Sequence, residues 1–368
     1  MKRNNIVLTG GHAATTALAV VREIKKRRLP WKIFWIGPYR AIEGSNIATL
    51  ESDILPKHGI VFKPIFTGRI QRKFTKYTIP SLLRIPFGFI HAFILLASIR
   101  PKLILSFGGY AAFPVVIIGW LLGIPILIHE QTAAIGRANK YSSPFAKAIA
   151  LAREESFKFF PSKKCVLTGN PILPEFLTIP SRDRLSFPPV IFITGGSRGS
   201  TTVNELVAGI LERLLRDYIV VHQSGNIDYE KYLEIRRELP PELRKRYQVY
   251  SHVSSEKMYE LLRESDIVVA RAGANTVSEL IAAKKISILI PIPFSYLDEQ
   301  TKNALFAEKL GLARVLPQAE ATPERLLSEI NHLVQNWEKT RKKIKNIQSP
   351  DIRASARVVN LMLESAKK

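Results

Sequence analysis

The chain has a single cysteine, few acidic residues and no Asp-x-Asp motif. Cys165 alone cannot form an internal disulfide framework or a cysteine-based metal site, and its isolation fits a reducing compartment. There are 54 Lys and Arg residues against 31 Asp and Glu, a net charge of +23. This excess indicates an anionic partner, and nucleic acid, anionic lipid headgroups or diphosphate substrates would each satisfy it.

Long hydrophobic runs are also missing. The apolar stretches at 85–98 and 115–128 fall short of the roughly 20 residues that span a bilayer. Residues 1–5 lead directly into the strand-like run Ile6-Val7-Leu8, with no signal-peptide core. We therefore expect a soluble or peripheral protein. We expect no nucleic-acid partner, because no aromatic stacking array or helix-turn-helix pattern accompanies the charge.

A length of 368 residues with 46% hydrophobic residues predicts two domains with real cores. Short β-branched runs alternate with helical-period segments, which is typical of parallel α/β sheets, and the pattern restarts near residue 190. We predict two doubly wound, Rossmann-like domains facing an interdomain cleft. The predicted strands are 5–8, 32–36, 59–64, 102–107 and 125–128, then 190–193, 218–221, 248–251, 266–269 and 286–290.

Turn-forming residues divide the chain. Gly169-Asn170-Pro171 and a proline-rich stretch at 180–189 predict a hinge and linker over 169–188. The first domain then covers 1–168 and the second 189–345. Residues 346–368 are predicted to form a C-terminal helix that packs back on the first domain.

The first predicted strand runs into Thr9-Gly10-Gly11-His12, and the next helix is predicted to start near Thr15 or Thr16, either of which can cap it. Glycines there let backbone N–H groups approach a phosphate at a helix N-terminus, although a plain tight turn has the same pattern. His12 is able to take a proton from a sugar hydroxyl near neutral pH. A capping or core histidine is the alternative.

The second domain repeats this arrangement with a glycine-rich loop at 194–200. After the strand at 266–269, Glu279 is placed about one turn into a helix, where a carboxylate can accept both hydroxyls of a ribose; a solvated glutamate near the helix start is the alternative. Gln300 and Asn303 share a helix face, and their amides suit sugar hydroxyls. The segments at 107–110 and 129–132 follow strands, so their polar groups should emerge at the same sheet edge as His12.

A basic cluster leads into an apolar-aromatic stretch, and together they form a predicted basic-apolar patch over 69–93. This combination is typical of peripheral proteins on anionic bilayers, and a buried helix after a solvated loop is the alternative. The basic residues are Arg69, Arg72, Lys73, Lys76 and Arg84.

Taken together, these motifs resemble the MurG family of the GT-B superfamily, in the family's order and spacing. The matching stretches include residues 9–12, 107–110, 129–131, 169–171, 195–197, 222–225, 271–279 and 300–304. The sequence departs from the family pattern at Leu8, at Thr132, in the absence of an arginine at 172–173, and in a first loop that is one residue longer. These departures lie on the acceptor side or near the hinge.

The resemblance implies a GT-B fold and inverting transfer of N-acetylglucosamine (GlcNAc) from UDP-GlcNAc to the C4 hydroxyl of lipid-linked N-acetylmuramyl pentapeptide. It implies no cofactor and no obligatory metal, because helix N-termini and glycine-loop amides can stabilise the leaving diphosphate. It also implies a peripheral protein at the cytoplasmic face of the bacterial cell membrane, with the lipid-linked diphosphate acceptor and the anionic membrane surface as partners.

The resemblance carries residue roles as well. His12 would be the general base, with Glu130 as the alternative. The donor-binding residues would be Ser197, Arg271, Ala274, Glu279, Gln300 and Asn303, and the acceptor or phosphate residues Gly10, Gly11, Tyr110, His129 and Asn139.

Three alternatives stay open. A lipid-directed GT-B transferase of the diacylglycerol type would keep the donor half and change the acceptor pocket. A UDP-GlcNAc 2-epimerase would share the architecture and release free UDP-N-acetylmannosamine. A nucleic-acid-binding protein would show DNA affinity that falls steeply with salt.

Overall fold

The computed structural model describes residues 4–11, 13–40, 48–69, 78–196 and 199–367. The chain divides into two compact units, one of residues 1–173 with 353–368 and one of residues 174–352. Five residues singled out in the sequence lie outside the described ranges: His12, Arg72, Lys73, Lys76 and Ser197.

The first unit is built on a seven-stranded parallel sheet in the order β3-β2-β1-β4-β5-β6-β7. Its central strands are apolar and buried on both faces, as expected for a parallel sheet covered by helices. The strands are β1 Asn5–Thr9, β2 Lys32–Gly37, β3 Val61–Pro64, β4 Leu103–Ser106, β5 Ile126–Glu130, β6 Ala148–Leu151 and β7 Cys165–Leu167.

The second unit contains a six-stranded parallel sheet in the order β10-β9-β8-β11-β12-β13. Here too the strand order reverses beside the first strand of the unit, so both sheets are doubly wound. The strands are β8 Val190–Thr194, β9 Ile219–Gln223, β10 Tyr247–Tyr250, β11 Ile267–Ala270, β12 Ile286–Leu289 and β13 Ala313–Val315.

Helices alternate with the strands along the chain. Those of the first unit are α1 Ala14–Lys26, α2 Leu50–Lys57, α3 Thr78–Ile99, α4 Ala112–Leu121, α5 Arg137–Ser142 and the last helix, α16 Ala354–Ala366. Those of the second unit are α6 Pro174–Leu177, α7 Thr201–Ala208, α8 Leu211–Asp217, α9 Tyr229–Glu238, α10 Pro241–Arg244, α11 Ser255–Glu264, α12 Ala274–Ala282, α13 Glu299–Lys309, α14 Pro323–Gln335 and α15 Trp337–Ile344.

The C-terminal helix α16 packs in the first unit. Val358 and Met362 are fully buried in the same apolar core as Trp35 of β2. Arg27 at the end of α1 donates to the Asn360 side chain (2.6 Å), and Arg357 Nε donates to Thr168 O (2.6 Å). The end of the chain therefore completes the core of the first unit.

The predicted α/β fold with two doubly wound sheets is confirmed, and each of the ten predicted strands is present. The prediction missed β6, β7 and β13, which have only three or four residues each. The predicted start of α1 is wrong, because the helix begins at Ala14 and neither Thr15 nor Thr16 caps it. Instead, the backbone N–H of Ala13 donates to the buried carboxylate of Glu51 from α2 (2.8 Å).

The expectation that the apolar stretch at 85–98 is too short to span a bilayer is also wrong in length. The helix α3 starts at Thr78, has 22 residues and is apolar enough to cross a membrane by length and composition alone. Core helices of soluble proteins and signal sequences meet the same criterion. Only 22% of its most apolar window is buried, so most of this apolar surface faces outward.

Candidate functional site

Three loops of the first unit meet at one edge of its sheet. They follow the carboxyl ends of β1, β4 and β5, which are neighbours in the sheet. The strand order reverses between β1 and β4, and open parallel sheets bind ligands at such a crevice. The expected convergence of these loops is confirmed within this unit.

Two glycine loops touch at this edge because neither carries a side chain at the contact. The backbone N–H of Gly11 donates to Gly108 O (3.1 Å). Gly109 has φ +91°, and a Cβ there would lie 2.9 Å from the Gly11 nitrogen. Larger residues would push the loops apart. Tyr110, the next residue, is 37% exposed.

Glu130, at the end of β5, is buried and accepts four hydrogen bonds from the segment that follows it. Its Oε1 accepts from the nitrogen (3.2 Å) and hydroxyl (3.0 Å) of Thr132, and its Oε2 from Gly136 N and Asn139 Nδ2 (both 2.9 Å). Burial raises the pKa of this carboxyl, and the hydrogen bonds oppose that rise. With its lone pairs used inside the protein, Glu130 suits the positioning of the 132–139 segment better than proton transfer. Its role as an alternative base stays a prediction.

Asn139 connects this carboxylate to the glycine loop. Its Oδ1 is buried, has no hydrogen-bond partner among the described residues, and lies where a Cβ on Gly108 would be 2.7 Å away. Its Nδ2 also approaches His129 O (3.3 Å). His129 is fully buried, and its Nε2 donates to Gly169 O (3.1 Å). Both side chains therefore lie beneath the loops and support them.

In the second unit, the loops after β8, β11 and β12 emerge at the carboxyl edge of the sheet in the same way. The loop after β8 turns tightly before α7, since a Cβ on Gly195 would lie 2.2 Å from Ser200 N. Gly196 and Gly199 have φ +84° and +76°. Ser200 then caps α7 by accepting from Val203 N (3.4 Å). A glycine turn at a capped helix start suits an anion.

Arg271, directly after β11, ties two of these loops together. Its Nε donates to the Ser200 hydroxyl (2.9 Å), and its Nη1 donates to Ile290 O (3.0 Å). Burial lowers the pKa of this guanidinium. The side chain fixes the helix cap of α7 against the end of β12 and adds positive charge beneath the glycine turn.

Glu279 lies on α12, whose first residue is Ala274. Its carboxyl makes no hydrogen bond to any described residue, and burial raises its pKa to about 8. In the free protein at neutral pH the group is therefore mostly protonated, whereas an ionised carboxylate was expected from the sequence. Such a group can donate one hydrogen bond and accept others.

Gln300 and Asn303 share one face of α13, as predicted. The Oε1 of Gln300 accepts from Ile292 N (3.1 Å), and no described residue accepts from its amide –NH₂ group. Asn303 is 4% exposed, and its Nδ2 donates to Ala272 O (3.2 Å). The helix is thereby joined to the loops after β11 and β12.

The sequence did not predict a buried polar cluster that lies beneath the glycine loop at 194–200 in the second unit. His222 contacts Tyr247 Oη (2.8 Å) and Asn204 Oδ1 (2.9 Å), and Asn204 Nδ2 donates to Ser224 O and Asp228 (both 2.8 Å). Burial lowers the pKa of His222 to about 3, so the ring is neutral. The cluster fixes α7 against the loop after β9, and its members are too far apart in sequence to form a recognisable pattern.

The groups at the carboxyl edge of the second sheet can bind anions and hydroxyls. They comprise glycine turns at two helix N-termini, a buried guanidinium, a carboxyl with a raised pKa and an amide –NH₂ group. Among the residues that the structure describes, no group of three or more His, Cys, Asp or Glu side chains is arranged to hold a metal ion.

Both units of the chain match known protein domains. Residues 9–151 match the glycosyltransferase family 28 N-terminal domain, and residues 190–358 match the glycosyltransferase family 28 C-terminal domain. The chain belongs to glycosyltransferase family 28. The two matches cover most of its length, and the predicted membership of the MurG family and the predicted glycosyltransferase class are confirmed.

Relatives with assigned names agree. A Clostridium botulinum (strain Kyoto / Type A2) protein is 33% identical over 341 residues, covering 90% of this chain and 91% of that protein. It is named UDP-N-acetylglucosamine–N-acetylmuramyl-(pentapeptide) pyrophosphoryl-undecaprenol N-acetylglucosamine transferase. A Bacillus cereus (strain ATCC 10987 / NRS 248) protein, whose name differs only by a final 2, is 32% identical and covers 90% of this chain and 92% of its own length.

One solved structure supports the same family, and another shares the fold. The crystal structure of Acinetobacter baumannii MurG superposes with a TM-score of 0.71 and 25% identity, covering 98% of this chain and 99% of that one. The UDP-GlcNAc 2-epimerase from Neisseria meningitidis superposes with a TM-score of 0.66 at 13% identity over 98% and 99% of the two chains. The second likeness shows the fold alone.

Proposed function

We propose that this chain transfers GlcNAc from UDP-GlcNAc to the C4 hydroxyl of a lipid-linked N-acetylmuramyl pentapeptide, with inversion at the anomeric carbon. The observation that carries this proposal is the full-length match to relatives named for that transfer, over 90% of this chain. The loops at the two sheet edges support it, because they offer the groups that a diphosphate, a ribose and a sugar require.

The second unit holds the donor in this proposal. Ser197 and the glycine turn bind the diphosphate, Arg271 supports that turn through Ser200, and Glu279 binds the ribose. Ala274, Gln300 and Asn303 line the sugar site, with the Gln300 amide oriented by its bond to Ile292 N. Backbone amides and helix dipoles would stabilise the departing diphosphate.

The first unit supplies the acceptor side in this proposal. His12 removes the proton from the acceptor hydroxyl, which attacks the anomeric carbon while UDP leaves. This role is supported by the sequence position of residue 12, directly after Gly11, because the backbone N–H of Gly11 donates to Gly108 O in the loop after β4. Gly10 and Tyr110 contact the acceptor, and the buried His129, Glu130 and Asn139 hold the loops in place.

Acceptor-dependent release of UDP tests the proposal. Purified enzyme with UDP-GlcNAc and a lipid-linked muramyl pentapeptide should release UDP only when both substrates are present. Since the fold is shared with UDP-GlcNAc 2-epimerases, the same mixture is analysed for UDP-N-acetylmannosamine. Formation of that epimer without acceptor would show that the chain is an epimerase. UDP release with diacylglycerol as acceptor, and none with the muramyl pentapeptide lipid, would assign it to the lipid-directed alternative.

The His12 role is tested by His12→Ala and His12→Gln. General-base catalysis contributes about 10²–10⁴-fold, so both variants should lose kcat by that factor while UDP affinity stays unchanged. Glutamine donates a hydrogen bond but cannot accept a proton at neutral pH. A His12→Gln enzyme with near-normal kcat and a raised acceptor KM would make His12 a binding residue.

We also propose that α3 rests on the cytoplasmic face of an anionic membrane as a peripheral contact. Its outward face is strongly apolar, and Arg69 and Arg84 lie in the described part of the basic-apolar patch. On α3, and at the end of α4, several large apolar side chains are more than two-fifths exposed: Ile79, Leu82, Leu83, Phe87, Ile90, Phe93 and Ile94 on α3, and Trp120, Leu121 and Leu122 at the end of α4. Apolar side chains beside basic ones bind anionic bilayers.

Charge reversal of Arg72, Lys73 and Lys76 to glutamate tests this contact. Each basic residue near an anionic surface contributes about 1 kcal/mol, so the triple variant should sediment less with anionic vesicles while keeping activity on a soluble acceptor analogue. The matched control reverses Lys339, Lys342 and Lys343, which are exposed on or near α15 of the second unit. Equal loss of vesicle binding in both triple variants would mean that net charge, and not the basic-apolar patch, determines binding.

A further inference from the structure

A second polar region lies at the opposite, amino edge of the second sheet. Asp266 directly precedes β11 and Lys285 directly precedes β12, whereas Arg271 and the glycine turn follow the carboxyl ends of their strands. A shallow cleft, partly open to solvent, lies between this edge, residues 180–182 and α15. Its charged lining residues are Arg182, Asp266, Lys284, Lys285 and Arg341.

Positive charge dominates this cleft. Asp266 is fully enclosed and already bound: its Oδ2 accepts from Val190 N (2.8 Å), and its Oδ1 accepts from the Ser186 hydroxyl (3.2 Å) and Arg182 Nη1 (3.4 Å). Asp183, near Arg341, is the second carboxylate. The four basic side chains outnumber these two carboxylates, so the group carries an excess of positive charge when Lys285 is protonated.

Lys285 is the least compensated of the four cations. It is 6% exposed, and among the described residues its Nζ donates only to the carbonyls of Ser265 (2.8 Å) and Arg263 (3.4 Å). Neutral carbonyls satisfy protons but do not balance charge. Burial lowers the pKa of this amine to about 7, with Arg182 and Arg341 adding to the fall and Asp266 opposing it. A bound anion would supply the missing countercharge.

Two of these cations keep donors that no described residue uses. Arg341 uses all three guanidinium nitrogens, on Arg182 O, Lys284 O and the Ser181 hydroxyl. Arg182 uses only Nη1, so among the described residues its Nε and Nη2 have no acceptor, and its side chain is 33% exposed. Lys285 retains a third proton. A guanidinium edge beside an ammonium group is the donor set that phosphate oxygens prefer.

We propose that this cleft binds a phosphate dianion, as free orthophosphate or as the terminal phosphate of a monoester, with Arg182 and Lys285 as its direct ligands. Arg341 supplies buried positive charge behind them and holds the 181–182 backbone. Because Arg182 lies on the segment between α6 and β8, the bound phosphate fastens that segment to the sheet. The site is separate from the donor-binding edge and does not depend on the proposed function.

Thermal unfolding of the full chain with orthophosphate tests the site, at constant ionic strength with chloride as the balancing anion and with UDP at saturation. In the proposed function UDP occupies the glycine turn, so a phosphate effect that persists at saturating UDP arises elsewhere. We expect phosphate to raise Tm and to bind with a measurable Kd by calorimetry. Arg182→Gln should weaken that Kd at least tenfold, as should Lys285→Met.

The matched control is Arg213→Gln, which removes an exposed guanidinium from α8 of the same unit and should leave the Kd unchanged. Glycerol 3-phosphate tests the monoester form under the same conditions. Phosphate stabilisation that disappears with UDP, or that is equal in the wild type, Arg182→Gln and Arg213→Gln, would overturn the proposal. If Lys285→Met does not fold, Arg182→Gln alone decides, because Arg182 is a third exposed.

Discussion

The pKa of Glu279 makes donor binding depend on pH in a defined direction. Burial raises it to about 8 in the free protein, without a hydrogen bond from any described residue. If the carboxylate form accepts the ribose hydroxyls, binding lowers this pKa. By linkage, the affinity for UDP-GlcNAc should then be constant above about pH 8 and fall as the pH drops below 8.

The size of the effect follows from the ionised fraction. Each pH unit below the pKa reduces that fraction about tenfold, equivalent to about 1.4 kcal/mol. Between pH 8, where about half of the carboxyl is ionised, and pH 6, where about 1% is, the apparent Kd should therefore rise by up to about 50-fold, the limit being set by the pKa of the bound state. A charge-assisted contact of about 1.5–3 kcal/mol is of the same size.

Calorimetry with UDP-GlcNAc at pH 6, 7, 8 and 9 measures this dependence, with buffers of different ionisation enthalpy to count the proton released below pH 8. UDP-GlcNAc is preferred to UDP because it lacks a terminal phosphate that titrates in this range. Glu279→Gln is the matched control and should bind with the same affinity throughout. It should also exceed the wild type in Tm by a margin that grows from about pH 4.5 to pH 8 and stays constant above pH 8, because over that range the unfolded carboxyl is ionised while the folded one keeps its proton. A wild-type affinity unchanged from pH 6 to 9 would refute the reasoning.

Three further predictions concern the remaining structure. Glu130→Gln places an –NH₂ donor where the carboxylate accepts from Gly136 and Asn139. Denaturant unfolding should therefore show a loss of about 2–4 kcal/mol in the free energy of unfolding, with unchanged UDP affinity. A variant as stable as the wild type would contradict the role of this hydrogen-bond network. Because the pKa of Lys285 falls to about 7, wild-type stability in phosphate-free buffer should rise from pH 7 to 10, and Lys285→Met should flatten that rise; parallel profiles would contradict it. Phe87→Ser should lower vesicle binding without changing Tm, since this side chain is 58% exposed; a lower Tm would indicate a packing role.

The sheets could be predicted because their strands are buried on both faces and therefore appear as short β-branched runs. The three strands that the prediction missed, β6, β7 and β13, have three or four residues, too few to form a pattern. The length of α3 was underestimated because Arg84 was assigned to the preceding loop, whereas the helix includes it. Periodicity alone does not say where a helix with a charged residue begins.

The loops at the sheet edges were predicted more completely than the hydrogen bonds and protonation of their residues. The three loops of each sheet edge follow strand ends, which the sequence marks with glycine and polar residues. The cap of α1 by Glu51, 38 positions from Ala13, has no local signal. The raised pKa of Glu279 and the four hydrogen bonds to Glu130 depend on burial and tertiary contacts, which leave no local pattern in the sequence.

The central claim is transfer of GlcNAc to a lipid. Radiolabelled UDP-GlcNAc is incubated with the enzyme and lipid-linked N-acetylmuramyl pentapeptide in anionic vesicles, and the lipid fraction is extracted and counted. The account predicts that label enters the lipid in proportion to the acceptor supplied, as a β-linked disaccharide, while UDP accumulates in equal amount. Label recovered only as free sugar or as a water-soluble nucleotide sugar, with none in the lipid, would contradict it.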